Sequence, residues 1–185
     1  MARTGHVKKM ARGGDAVPVA RPHHGAMRSR YLDGVSIRLL RNGDTATVAA
    51  VFERLGDESR RLRFGGPKPR LSEIEMAALA RVDAEHHVLV AYVDGDREPA
   101  GLARLVRRGR TAEVAFEVAD RYQGRRIGSA LAQILAADAR AAGIVELHAT
   151  ISAGNRPAVS LLSRIGLRLR GTWRDGQAEL VAALD

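Results

Sequence analysis

Hydrophobic and polar positions first fall into register at Val35-Ser-Ile-Arg-Leu-Leu40, which alternates and is β-branched as a half-buried strand should be. Asn42-Gly-Asp44 then turns the chain. Asp44 can cap a helix whose apolar residues Val48, Val51, Phe52 and Leu55 recur at helical spacing and which closes at Gly56. Residues 57–63 form a charged run, residues 65–69 a Gly/Pro break, and Ser72 with Glu75 has the spacing of a capping box opening a second helix to about Arg81. From His87 the period changes to that of strands, over 88–93, 99–106 and 112–118, with Asp94-Gly-Asp96 as a hairpin turn. Residues 126–142 then place Ile127, Ala130, Leu131, Ile134 and Leu135 on one helical stripe that ends at Gly143. A strand over 145–151 follows. Pro157 opens a helix to Ile165, Gly166 caps it, and a hairpin over 167–173 and 178–184 turns at Asp175-Gly176.

This order, β-α-α-β-β-β-α-β-α-β-β, predicts an α+β fold: a central, mostly antiparallel twisted sheet of about seven strands flanked by about four helices. The strand–helix–strand crossover makes the fourth and fifth strands, 112–118 and 145–151, a parallel pair. The 185 residues suffice for one domain with its own core, expected over 34–185.

Charge changes this picture only at the N-terminus. Residues 1–30 hold seven lysines and arginines against Asp15, so six of the nine net positive charges lie there and three in the remainder. Residues 1–33 therefore read as a basic, Gly-, Pro- and His-punctuated tail expected to be disordered, and nucleic-acid binding by the near-balanced domain is not expected. No apolar run approaches the roughly 20 residues that span a bilayer, and no apolar stretch follows the N-terminal basic residues, so neither a membrane span nor a secretory signal is expected. Cysteine is absent, which excludes a disulfide framework, a Cys-based zinc site and a thiol nucleophile and fits a cytoplasmic location. His86 and His87 precede a strand without metal-ligand partners at suitable spacing, and no metal is expected. His148, on the fifth strand, is expected to be structural rather than to line a site.

Candidate chemistry concentrates in residues 111–135, TAEVAFEVADRYQGRRIGSALAQIL. A strand delivering its end to backbone N–H groups at a helix N-terminus makes an anion site from main chain alone. No Lys-Ser/Thr follows the loop, which excludes a P-loop ATPase. No early G-x-G-x-x-G follows the first strand, which excludes a dinucleotide fold. Gln123-Gly-Arg-Arg126-Ile-Gly128 instead resembles the Q/R-x-x-G-x-G/A signature of the GNAT superfamily of acetyl-CoA-dependent N-acetyltransferases, with Arg126 at the first glycine position. The later run Asn155-Arg-Pro-Ala-Val-Ser-Leu-Leu-Ser-Arg-Ile-Gly166 resembles the family's N-x-x-A-x-x-L-Y-x-x-x-G-F. The resemblance covers residues 35–184. Within the superfamily, Glu58–Phe64, Pro67–Glu73 and Ala112–Phe116 look most like the catalytic domain of bacterial protein-lysine acetyltransferases.

The resemblance implies an acetyl-CoA cosubstrate, held by the backbone of Gln123, Gly124, Arg125, Arg126, Ile127, Gly128 and Ser129, with main-chain groups of Phe116 and Val118 on its pantetheine arm. Either arginine could reach a phosphate or decorate a solvated turn, and Asn155 could contact the cofactor or cap its helix. Acetyl transfer needs a neutral amine, while a lysine in water has a pKa of about 10.4, so a base is required. Glu113 stands where lysine acetyltransferases of the family carry their general base. Strand alternation puts Glu113, Ala115 and Glu117 on one face, with Glu117 about 13 Å further along and held as the reserve. Leu162 takes the place of the family's Tyr general acid, leaving Ser160, Ser163, water or an unassisted thiolate. The expected acceptor is an amine, a protein lysine first and a small amine second. A non-catalytic acyl-CoA sensor stands as the other reading, and a monomer and a homodimer are both open.

Overall fold

The structure, a computed structural model, describes residues 30–184 except Asp33 and Leu167. Nearly all of the expected tail, and Leu167 of the last hairpin, lie outside the described residues. One sheet of eight strands organises everything else. Its strands are β1 (Arg30–Leu32), β2 (Val35–Leu39), β3 (His86–Val93), β4 (Pro99–Arg108), β5 (Thr111–Val118), β6 (Glu146–Ser152), β7 (Arg168–Arg174) and β8 (Gln177–Ala183), in the spatial order β1-β2-β3-β4-β5-β6-β8-β7. All neighbours are antiparallel except β5 and β6, the parallel pair that the crossover requires. Short β1, on the outer edge, is an addition to the seven strands expected.

Among the described residues five α-helices cover the sheet: α1 (Thr45–Glu53), α2 (Asp57–Phe64), α3 (Glu73–Leu79), α4 (Ile127–Ala141) and α5 (Arg156–Ile165). Four were legible from apolar period and caps. Asp44 accepts from the Thr47 N–H at 3.0 Å, and the Ser72–Glu75 capping box is formed on both sides. The fifth, α2, lies in the charged run read as having no element. It buries no residue fully and so carries no apolar stripe. Its signals are electrostatic: Asp57 and Glu58 in the first turn, Arg61 and Arg63 in the last, and Gly65 as a left-handed C-cap at φ 75°.

Both sheet faces are packed. Alternation along β3 and β4 sends Val88, Val90 and Leu102 to the face under α1 and α3, where they meet Leu40, Val48, Val51 and Ala80. The opposite face sends Leu89, Ala103, Leu105 and Val114 into a larger core with Ile127, Leu131 and Leu135 of α4 and Ile165 of α5. α2 lies over β5 and β6, on the α1/α3 side. That face is where the candidate site forms.

At the end of β4 nearest the anion loop the strands approach closely. A Cβ on Gly101 would stand 2.6 Å from the Glu117 carbonyl and 3.3 Å from the Val118 Cα, both backbone atoms. Gly101→Ala is expected to destabilise the domain by about 1–3 kcal/mol through overpacking, read as a lowered midpoint in thermal unfolding.

Candidate active site

The pairing of β5 with β6 is only three residues long: Thr111 with Glu146, Ala112 with Leu147, Glu113 with His148. Beyond Glu113 the two strands part, while β5 stays paired to β4 as far as Val118. The Ala119 N–H donates to the Ala100 carbonyl at 2.8 Å, so ladder alternation turns the odd-numbered residues of β5 toward β4. The N–H and C=O of Phe116 and Val118 therefore face the parted side. The Val118 carbonyl accepts there from Gln123 Nε2 at 3.2 Å.

A cleft of about 450 Å³ borders the parted edge of β5, walled by apolar Leu55, Leu62, Phe116, Val118, Ile127 and Leu161 and closed at one end by the loop before α4. That loop places Gly124 at φ 75° and Arg126 at φ 63°. Arg126 is thus in the left-handed region, where glycine is the usual occupant, and this is the physical content of its standing at a glycine position. The first intrahelical bond runs from the Ala130 N–H to the Arg126 carbonyl at 2.9 Å. The N–H groups of Ile127, Gly128 and Ser129 have no intrahelical acceptor. Arg126 provides no side-chain cap and the first turn holds no acidic residue. A Cβ on Gly128 would meet only Val118 Cγ2 at 3.6 Å and Leu161 Cδ1 at 3.9 Å, ordinary contacts, so the chain's own packing does not require glycine there. Three unclaimed donors, a positive helix end and spare room beside them suit a diphosphate, and the apolar gap beyond suits a pantetheine arm.

The other predicted residues divide. Ser129 and Arg126 line the cleft. Arg125 does not; its guanidinium lies 5.2 Å from the centre of the Tyr122 ring. Gln123 borders the cleft but spends its side-chain amide on Ser59 Oγ at 3.0 Å, Val118 O and Asp120 Oδ1, tying α2 to the loop. Asn155 caps α5, accepting from the Ala158 N–H at 3.2 Å, and borders the same cleft. Leu162 points into the core at 1% exposure, and of the two neighbouring serines Ser160 lines the cleft. His86 contacts Asp83 and His87 contacts Asp138, at 2.8 and 3.0 Å. Among the described residues no cluster of His, Cys, Asp or Glu could hold a metal ion.

A second cleft, about 590 Å³, opens on the same sheet face over β4, β5, β6 and β8. Glu113 lies on its floor with its side chain 65% exposed, and Arg108 Nε approaches at 3.8 Å, too far for a hydrogen bond. Beside it is His148, which the sequence reading assigned to structure; it lines this cleft and contacts Glu146 at 3.3 Å. Glu117, by contrast, is 7% exposed and accepts from Arg63 Nε at 3.0 Å. Leu62 and Arg63 of α2 line both clefts, so α2 is the wall where they meet.

Sequence reasoning missed Arg63 and Arg104. Arg104 is 8% exposed on β4; Nη1 donates to the Ala78 carbonyl at 3.2 Å, while Nε and Nη2 have no partner among the described residues. Burial lowers its guanidinium to about 10, Glu117 opposing that fall and Arg63 adding to it. It remains charged at neutral pH. No motif marks an arginine in an apolar strand, though its interruption of Leu102-Ala-Arg-Leu-Val106 was a visible irregularity.

The acetyltransferase (GNAT) family model matches residues 51–167, which includes α2, the loop before α4 and the whole lining of the smaller cleft. The chain belongs to the GNAT acetyltransferase family. Acetyl-CoA is the cosubstrate of this domain. A curated relative, acetyltransferase Pat of Mycolicibacterium smegmatis, is 36% identical over 92 residues, covering 48% of this chain and 28% of the relative. The chain thus spans under a third of that relative's length. The crystal structure of the GNAT domain of S. lividans PAT superposes with a TM-score of 0.73 at 29% identity, over 81% of this chain and 90% of that one. A Salmonella typhimurium protein, yncA, solved with its cofactor acetyl-CoA, shares the fold at a TM-score of 0.64 and 20% identity, over 83% and 95% of the two chains.

Gly128→Asp provides a test of the loop. The carboxylate is expected to satisfy the helix N–H groups itself, keeping or raising the melting temperature, while weakening acetyl-CoA by at least ~100-fold, about 2.7 kcal/mol. Calorimetric titration beside thermal unfolding checks both; unaltered affinity would place the diphosphate elsewhere.

Proposed function

We propose that this domain transfers the acetyl group of acetyl-CoA to the ε-amine of a protein lysine by direct attack, with Glu113 as general base. The observation that carries the reading is the contrast between the two glutamates of one strand face. Glu117 is buried and committed to Arg63, whereas Glu113 is exposed on the floor of the open cleft. A base must reach the proton it removes, directly or across one water, and Glu113 can. The breadth of the cleft across four strands favours an amine presented on a chain over one enclosed in a small pocket. The subgroup likeness of residues 58–64 and 112–116, and the similarity to two Pat proteins, support the same reading.

When bound, acetyl-CoA supplies an acyl carbon activated as a thioester. The residues of this chain do the rest. The N–H groups of Ile127, Gly128 and Ser129 bind the diphosphate. Main-chain groups of Phe116 and Val118 align the arm along the parted edge of β5. Leu62 and Arg63 guide the acceptor from one cleft toward the other. Glu113 takes the amine's proton, the neutral nitrogen attacks the acyl carbon without an enzyme-bound covalent species, and the C–S bond breaks to release CoA as a thiolate that is protonated by water. Arg126 belongs with cofactor binding, since its left-handed backbone meets the requirement of the glycine it stands for.

Glu113→Gln is expected to lower turnover by ~10²-fold or more with the acetyl-CoA dissociation constant nearly unchanged. Thiol release measured at neutral pH decides it, and an unaltered rate excludes Glu113. Incubating a cell lysate with labelled acetyl-CoA and this protein, followed by mass spectrometry, should show label on lysine side chains. Label confined to small amines would assign a small-molecule acceptor instead, and tight binding without thiol release would assign a sensor.

A further inference from the structure

Edge strand β7 reads Arg-Leu-Arg-Gly-Thr-Trp-Arg and pairs with β8, which pairs with β6. The registers Arg170 with Val181, Thr172 with Glu179 and Arg174 with Gln177 put these β7 residues on the face of β8 that floors the acceptor cleft. Arg168, two residues before Arg170, shares that face. The cleft therefore continues sideways onto an arginine-lined strand.

The charges on this surface do not balance. Three carboxylates are matched: Glu117 by Arg63 at 3.0 Å, Glu146 by Arg170 at 2.6 Å, and Glu113 by Arg108 at 3.8 Å. Among the described residues of this face that leaves Glu179 as one carboxylate for three arginines, Arg168 and Arg174 of β7 and the buried Arg104, whose charge water screens poorly. From β5 to β7 is three strand spacings, about 14 Å, and Arg168 to Arg174 runs about 20 Å. A free amino acid spans neither distance; an extended peptide of about six residues spans the longer.

We propose that the acceptor lysine is recognised within an acidic segment, whose Asp and Glu side chains lie on the arginines of β7 while the lysine enters over Glu113. This rests on the protein-lysine reading above. A lysine brought alone to a net-positive surface is repelled; carboxylates carried by its own segment reverse that and steer its approach. Close to the base the same positive excess favours the neutral amine, the form that attacks.

The test uses the full chain, acetyl-CoA and synthetic peptides with one lysine flanked by acidic, neutral or basic residues. For the acidic peptide kcat/KM is expected to exceed that of the neutral one by about 10-fold at low salt and to lose the advantage as ionic strength rises. Arg170→Glu with Arg174→Glu should reverse the ranking in favour of the basic peptide, with KM for acetyl-CoA unchanged. Arg174→Glu alone, which breaks no ion pair among the described residues, gives a partial reversal and serves if the double variant fails to fold. Equal turnover of all three peptides, or a ranking that the reversals leave intact, overturns this proposal alone. Acetylation of small amines with no peptide turned over overturns the protein-lysine reading and this proposal with it.

Discussion

The site depends on a sheet that stops being a sheet. Pairing between β5 and β6 ends with its third pair, Glu113 and His148. A buried strand edge with unpaired N–H and C=O groups is costly, and proteins tolerate one where a ligand or solvent can satisfy it. Here the parted edge belongs to Phe116 and Val118 and borders a largely apolar cleft, so its main-chain groups face open space. The crossover helix that makes the pair parallel also begins at the foot of the gap. One topological feature thus places helix donors and strand donors around one ligand.

Arg126 shows how a departure from a family pattern can leave the physics intact. Anion binding at a helix N-terminus is carried by backbone N–H groups, and the role of the glycine is to permit positive φ. An arginine accepts that conformation at some cost in strain and retains every donor. The departure at Leu162 is of another kind. That side chain belongs to the core, so a hydroxyl at this position is replaced by packing rather than by a second polar group.

α2 walls both clefts. Its first and last turns complement its dipole, Gln123 holds it through Ser59, and Arg63 joins it to Glu117. That ion pair is nearly buried, where an uncompensated partner would be expensive, so it holds the wall between the clefts. The same pair commits Glu117, while Glu113 stays exposed on the floor of the larger cleft. Two glutamates four residues apart on one strand face thus acquire different surroundings from one helix packed over one of them.

Much of this was legible in residue order. Period-2 alternation gave seven strands, apolar stripes and caps gave four helices, and the Gln123–Gly128 and Asn155–Gly166 segments pointed to the family, because each rests on interactions within a few residues. The electrostatically built α2 was not legible, since it has no apolar period. Nor was the fate of Gln123, whose amide is spent partly on Ser59 of α2, or of His148, which the register of β6 with β5 places beside Glu113. The sequence by itself determined the fold, the loop that opens α4 and the strand bearing both glutamates. Only the tertiary structure decided where β5 and β6 part, that Arg63 claims Glu117, and that the arginines of β7 share a face with Glu113. Strand register and helix placement settle those points, and both arise from packing between segments distant in the chain.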